Sequence, residues 1–146
     1  EIAMKDFVLG PFTNALAYNE VAVEAVIPPP KGTRKGNYLK LERRVGDFAT
    51  ASVAVALDMN GDTVARAGCA LAGVGGKTID ANAEISSALV GKTLNAETIA
   101  SAAEAVAGAA DPRTDHRGSA AYKRQVVKTF VTRILTNIAQ TEQKAA

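Results

Sequence analysis

Apolar and polar residues alternate most regularly between positions 47 and 74, with one interruption at Asn60-Gly61. That dipeptide between two alternating runs predicts a β-hairpin with strands over residues 47–59 and 62–74. An unbroken register places Ala49, Ala51, Val53, Val55 and Leu57 on one face. The other face carries Thr50, Ser52, Ala54 and Ala56, with Ala65, Ala67 and Cys69 across from them. Side chains this small leave room for another element or a partner to approach closely. Upstream, residues 21–27 alternate weakly, with Val21, Val23, Ala25 and Ile27 on one side. Pro28-Pro29-Pro30 ends that strand, because proline cannot donate to a ladder. Residues 31–37, with Gly32 and Gly36, read as a mobile loop.

Beyond Gly75-Gly76 the period becomes helical. A short helix over residues 82–90 stops at Gly91, a residue suited to the left-handed position after a helix. Asn95 is an N-cap with Glu97 in the first turn. The helix it opens turns Ile99, Ala102, Ala103, Val106 and Ala110 inward and stops before Pro112. In the last helix Tyr122, Val126, Phe130, Ile134 and Ile138 recur every four residues, and Val127, Val131 and Leu135 widen the stripe. Lys123, Arg124, Lys128 and Arg133 fall on the wet side, and the polar, Ala-containing tail from Gln140 is expected to fray. Strands first and helices afterwards indicate an α+β fold. An antiparallel sheet in about residues 1–78 packs with a small C-terminal helical bundle in about 80–140, within one domain spanning 1–146.

Composition narrows the function. Hydrophobic residues make up 47% of the 146, but aromatics are only 5% and Trp is absent. A core of Ala and Val leaves little room for an internal cavity, so a small ligand is expected at an edge or between domains. Seventeen basic residues against fifteen acidic ones, with few aromatics to stack on bases, argue against nucleic acid as a partner. Cys69 is the only cysteine, which excludes an internal disulfide and suits a reducing, cytoplasmic setting. Its apolar surroundings mark it as a small buried hydrophobe. No run approaches the roughly 18 apolar residues of a membrane span, and no signal peptide is visible. The opening Glu-Ile-Ala-Met fits a processed, truncated or partly observed polypeptide.

Candidate chemistry is sparse. His116 is the sole histidine and lies in a turn, and no nucleophile-elbow motif accompanies the serines. Gly73-Val74-Gly75-Gly76-Lys77-Thr78 lacks the spacing of a phosphate loop. Asp111 and Asp115 bracket Arg113 and could hold a cation, though capping the next helix is the simpler role. No enzyme mechanism follows from these residues. What remains is the cluster Lys40, Arg43, Arg44 and Asp47 between a glycine-containing loop and the most regular strand. Physics alone favours a solvated ion-pair cluster. A lysine fixed at such an edge can also reach an anionic or carbonyl-rich ligand.

Four markers in order carry a resemblance: Asp6-Phe7 with Gly10-Pro11-Phe12 and Leu16; Val26-Ile27-Pro28; Lys40-x-x-Arg43-Arg44-x-Gly46-Asp47-Phe48-Ala49; and Asp115-x-Arg117-Gly118-Ser119-Ala120-x-Tyr122-Lys123. Over nearly the whole chain the sequence resembles the C-terminal domain of the FAD-binding (medium) subunit of molybdenum hydroxylases, the carbon monoxide dehydrogenase and xanthine dehydrogenase family. The resemblance implies an antiparallel sheet with a small helical bundle. It also implies an upstream FAD-binding domain that this chain lacks, and partner subunits carrying the iron-sulfur clusters and molybdopterin. Two flavin contacts are implied here, at Lys40 and at Ala22, the latter through backbone or packing. In this resemblance the chain is not catalytic alone but helps close the flavin site while electrons pass from molybdenum through iron-sulfur clusters to FAD. The alternative is an assembly module that holds partner subunits without touching flavin. Gly75, Gly76 and Asp80 stand where family members commonly carry Ala-Pro and a following Arg, and Asn14 occupies a usual threonine slot. An inter-subunit contact made by that Arg would have to differ in this chain.

Overall fold

A computed structural model describes residues 1–30 and 32–143. Short elements come first: α1 (Met4–Phe7), β1 (Val8–Gly10) and β2 (Thr13–Asn14), the two strands pairing antiparallel. The main body is a four-stranded antiparallel sheet in the order β3-β4-β5-β6, formed by β3 (Thr33–Leu41), β4 (Ala51–Asn60), β5 (Thr63–Ala72) and β6 (Ile79–Asp80). Three helices follow, α2 (Asn82–Leu89), α3 (Ala96–Ala109) and α4 (Ala120–Gln143). The α+β architecture with its central hairpin is therefore as the sequence indicates.

Val53, Leu57 and Leu71 of the sheet meet Ile85 and Leu89 of α2, Val106 of α3, and Val127, Val131, Ile134 and Leu135 of α4 in one buried core. Burying each such side chain is worth roughly 1.5–3 kcal/mol, so these stripes fix which face of each helix turns inward. Asn95 caps α3 as expected: its Oδ1 accepts from Thr98 N–H at 2.9 Å, and Thr98 Oγ1 accepts from Asn95 N–H at 3.0 Å. Much of the outer edge of β5 is closed by helix side chains and a loop. Asn82 Oδ1 accepts from Cys69 N–H at 2.8 Å, Ser86 Oγ donates to Ala67 O at 2.9 Å, and Val64 N–H donates to Lys92 O at 2.9 Å. These groups satisfy edge donors and acceptors that would otherwise invite another strand.

The structure corrects five expectations. First, the hairpin is not in unbroken register. Asn60 pairs with Thr63 and Met59 with Val64, but Asp58 pairs with Arg66, so a bulge inserts one residue at Ala65. A one-residue insertion flips every later side chain to the opposite face. Ala67 and Cys69 therefore stand opposite Leu57 and Val55 in the core, not beside Ala54 and Ala56. Second, residues 33–37 begin β3, because Thr33 to Leu41 pair continuously with β4; Lys31 lies outside the described residues. Third, residues 21–27 are not a strand of this sheet and have no regular structure. Fourth, Lys123 is not wet: its side chain is 3% exposed. Fifth, α4 continues through Gln143, so the turn from Gln140 is helical, and residues 144–146 lie outside the described residues.

Candidate functional site

The register of the sheet decides what Lys40 stands next to. On the face turned away from the helices, Lys40 aligns with Ser52 and Ala72, Tyr38 with Ala54 and Ala70, and Gly36 with Ala56 and Gly68. Arg34, Asp58 and Arg66 close one end of these rows, with Arg34 Nε 2.7 Å from Asp58 Oδ1. The middle of this face is nearly free of side-chain bulk. Gly36 has no space for a Cβ, which would lie 2.6 Å from Val55 O. Tyr38 (54% exposed) and Lys40 project from β3 along this low surface, two residues apart on the same side of the strand.

Lys40 is not a lone cation. Its Nζ lies 2.5 Å from Glu42 Oε2, and both side chains are about three-quarters buried, 28% and 25% exposed. Glu42, followed by Tyr38 and Asp47, holds the ammonium above its ordinary pKa. Beyond Glu42 the chain turns through Gly46, at φ +87, where a Cβ would be strained. Arg43, Arg44, Val45, Gly46 and Asp47 line an open hollow there.

The structure brings the two charged motifs together across 70 residues. Arg117 Nη2 donates to Asp47 Oδ1 at 3.0 Å, and its guanidinium stands 6.0 Å from the centre of the Phe48 ring. Asp47 Oδ1 also accepts from Phe48 N–H at 2.7 Å, and this bond, with Arg117, holds the Asp47 carboxyl below its usual range. Arg117 is itself set by Asp115, whose Oδ1 accepts from Arg117 N–H at 2.8 Å. Asp115 Oδ2 accepts from the buried Lys123 Nζ at 2.7 Å, and Lys123 also donates to Arg113 O at 3.0 Å. Lys123, then the Arg117 amide, lowers the pKa of Asp115. Asp115 therefore orders the loop and does not cap α4. Ala120 N–H donates to Thr114 Oγ1 and Tyr122 N–H to Ser119 Oγ, so those hydroxyls serve the helix start. Spacing alone marks neither Tyr38 nor the Asp47–Arg117 pair as a site. The available signal for Tyr38 was its place two residues before Lys40.

A pH prediction follows from these depressed carboxylates. Their stabilising effect is complete above the unfolded carboxylate pKa of roughly 4 and is lost as pH falls through the lower folded values. The melting temperature should be flat from neutral pH to about 5 and decline steeply below about 4. Asp47→Asn combined with Asp115→Asn should flatten the acid limb in a circular-dichroism titration. An unchanged limb would show that these two anchors do not set acid sensitivity.

Ala22 stands apart from this cluster. It lies in the exposed segment 21–30, which makes no hydrogen bond to any other described residue. Asp80 Oδ1 accepts from Asn82 N–H at 2.9 Å and Asn14 Oδ1 from Leu16 N–H at 2.9 Å, so both unusual positions have local structural work. Cys69 is buried, and burial pushes its thiol up to about 12, which removes it as a nucleophile. Among the described residues no three His, Cys, Asp or Glu are grouped to hold a metal, and no helix is long and apolar enough to cross a membrane. The arrangement is an open face of small residues flanked by Tyr38 and Lys40, and among the described residues it holds no acid-base or nucleophilic constellation.

A family model described as the CO dehydrogenase flavoprotein C-terminal domain matches residues 37–138. The glyceraldehyde dehydrogenase medium chain of Sulfolobus acidocaldarius is 35% identical over 134 residues, covering 92% of this chain and 47% of its own length. The carbon monoxide dehydrogenase medium chain of Hydrogenophaga pseudoflava is 35% identical over 129 residues, 88% of this chain and 45% of its own. A solved carbon monoxide dehydrogenase from the same organism superimposes with a TM-score of 0.86 at 35% identity, covering 94% of this chain and 47% of that one. The chain thus spans about half the length of the curated relatives it matches.

Proposed function

Because the chain belongs to the CO dehydrogenase flavoprotein C-terminal domain family, we propose that it is the C-terminal half of the FAD-carrying subunit of a molybdenum hydroxylase. In this reading it closes one side of the flavin site and packs against subunits that hold the iron-sulfur clusters and molybdopterin. Bound FAD supplies the electron-accepting chemistry at the end of that chain of centres.

The observation that carries the reading is the placement of Lys40 and Tyr38 on a sheet face whose centre is Gly36, Ala54, Ala56, Gly68 and Ala70. A planar ring system can lie against such a face without displacing side chains. An ammonium has three donors, so Glu42 can take one and leave two for a ring carbonyl. The pairing with Glu42 also restrains the lysine, which lowers the entropy lost when a ligand binds. Ala22 has no polar side-chain group and would contribute through backbone or packing, from the segment that is exposed here.

An assembly module that never touches flavin is the second reading. It is favoured by the same Lys40–Glu42 pair, in which the ammonium already has a partner and would serve only as a structural ion pair at the sheet edge. Intact mass and a visible absorption spectrum on natively purified protein separate the two. The flavoprotein reading expects a mass well above 15.1 kDa together with a flavin band. A mass of 15.1 kDa with no flavin would favour the assembly module.

A further inference from the structure

The end of the open sheet face farthest from Lys40 holds a polar cluster that the flavin reading leaves unused. Arg34 on β3 and Arg66 on β5 flank Asp58 on β4, the three residues forming one row across the sheet. Arg34 Nε donates to Asp58 Oδ1 at 2.7 Å and its Nη2 to Oδ2 at 3.2 Å, while Arg66 Nε stands 3.5 Å from Oδ2. Asp58 is 8% exposed and both its oxygens are taken; the Arg34 contact holds its carboxyl below the usual range. One carboxylate against two guanidiniums leaves a local excess of one positive charge. The Arg66 side chain is 71% exposed, and its two Nη groups have no partner among the described residues.

Asn82, the first residue of α2, supplies a third donor. Its Oδ1 accepts from Cys69 N–H at 2.8 Å, which fixes the amide's orientation and leaves Nδ2 to donate elsewhere. Gly68 permits this close approach, since a Cβ there would lie 3.1 Å from Asn82 Oδ1. Arg34, Arg66 and Asn82, together with Ala56 and Gly68, line an open hollow of about 360 Å³. The side-chain groups left free in it are all donors, because its one carboxylate is already spent. Donors from two strands and a helix suit a tetrahedral phosphate better than a planar carboxylate, which a single guanidinium fork can satisfy.

We propose that this hollow binds the phosphate or diphosphate group of a small ligand other than the flavin. Arg66 is its principal cation, Asn82 Nδ2 is a neutral donor, and Arg34 is a donor held in place by Asp58. Arg34 lies six residues along β3 from Lys40, roughly 20 Å of strand. The hollow is therefore at the opposite end of the face from the group assigned to the flavin ring. The site does not depend on the flavin reading, and Lys40→Ala should leave it intact.

Titration calorimetry of inorganic pyrophosphate into the 146-residue chain tests it, at an ionic strength of about 0.15 M to screen diffuse attraction. One equivalent should bind. Arg66→Gln should weaken binding roughly ten- to hundredfold, with Arg66→Lys intermediate because an ammonium lacks the fork. Asn82→Asp should abolish binding: it keeps the Oδ1 that accepts from Cys69 N–H and puts a carboxylate oxygen in place of Nδ2. Should Asn82→Asp fail to fold, Arg66→Gln decides alone, since that side chain is exposed and its loss should leave the melting temperature unchanged. Arg133→Gln, which removes the same charge from the exposed face of α4, should change nothing. No binding, equal weakening by Arg133→Gln, or native binding by Asn82→Asp would each overturn the site. The same titration on the complete subunit identifies the source of the phosphate. Binding that survives FAD loading supports a separate ligand. Displacement by FAD would assign the hollow to the flavin's own diphosphate, and loss in the flavin-stripped subunit would assign it to a carboxylate of the upstream half; either overturns the proposal.

Discussion

Gly73→Ala should destabilise the fold by about 2–4 kcal/mol, a drop of roughly 5–15 °C in melting temperature. Gly73 follows β5 at φ +77, where a side chain is disfavoured. A Cβ there would also lie 2.6 Å from Ala49 O, 3.2 Å from Ala49 C and 3.3 Å from Thr50 C, all backbone atoms with no rotamer to give. That backbone is itself tied down, since Thr50 N–H donates to Leu41 O at 2.8 Å. The strain would pass into the loop that presents Arg43 to Asp47, so the variant should also loosen the Asp47–Arg117 pair. Gly76→Ala is the control, because nothing lies within 4 Å of its Cβ position. Equal melting temperatures for the two variants, measured by circular dichroism, would refute this packing argument.

Asp115→Ala should be the more damaging half of an unequal pair. Lys123 Nζ is buried and has two oxygen acceptors, Asp115 Oδ2 and Arg113 O. Removing the carboxylate leaves the ammonium buried with one neutral partner. That is worse than removing both charges, because an uncompensated buried charge keeps its full desolvation cost. Asp115 also orders the turn to Gly118 through its contact with Arg117 N–H, so its loss should free the arginine that clamps Asp47. A fall of roughly 5–10 °C is expected for Asp115→Ala, with Lys123→Met nearly silent and the double variant between the two, since it removes the unpaired charge but still lacks the Asp115–Arg117 contact. Thermal melts of the three variants decide it. If Lys123→Met is as damaging as Asp115→Ala, the burial argument is wrong.

What the sequence revealed and what it hid divide along physical lines. The α3 stripe of Ile99, Ala102, Ala103 and Val106, and the α4 stripe of Val127, Val131, Ile134 and Leu135, were legible because helices bury one face at a fixed period. The hairpin turn was legible for its Asn-Gly signal, but the bulge at Ala65 was not, since an extra alanine in an alanine-rich run leaves no compositional trace. β3 was half hidden because an edge strand buries little and tolerates Arg34, Lys35, Gly36 and Asn37. Residues 21–27 misled in the other direction: their pattern is that of a strand, but among the described residues no sheet edge pairs with them. Lys123 was misplaced because periodicity along α4 cannot register a loop that reaches over and supplies Asp115. At the site, Lys40 rested on resemblance, and its alignment with Ser52 and the small-residue rows beside it became visible only once the register was known. The Asp47–Arg117 pair spans 70 residues, and nothing in local spacing announces it.

Under the proposed function, Lys40 contributes directly to flavin binding. The direct measurement is a fluorescence titration of FAD into the flavin-stripped complete subunit, comparing the native protein with Lys40→Ala. Losing a charge-assisted hydrogen bond should weaken FAD roughly ten- to hundredfold, with Lys40→Arg intermediate and the melting temperature of the 146-residue chain little changed. An FAD affinity unaltered by Lys40→Ala would contradict the account and leave Lys40 and Glu42 as a surface ion pair.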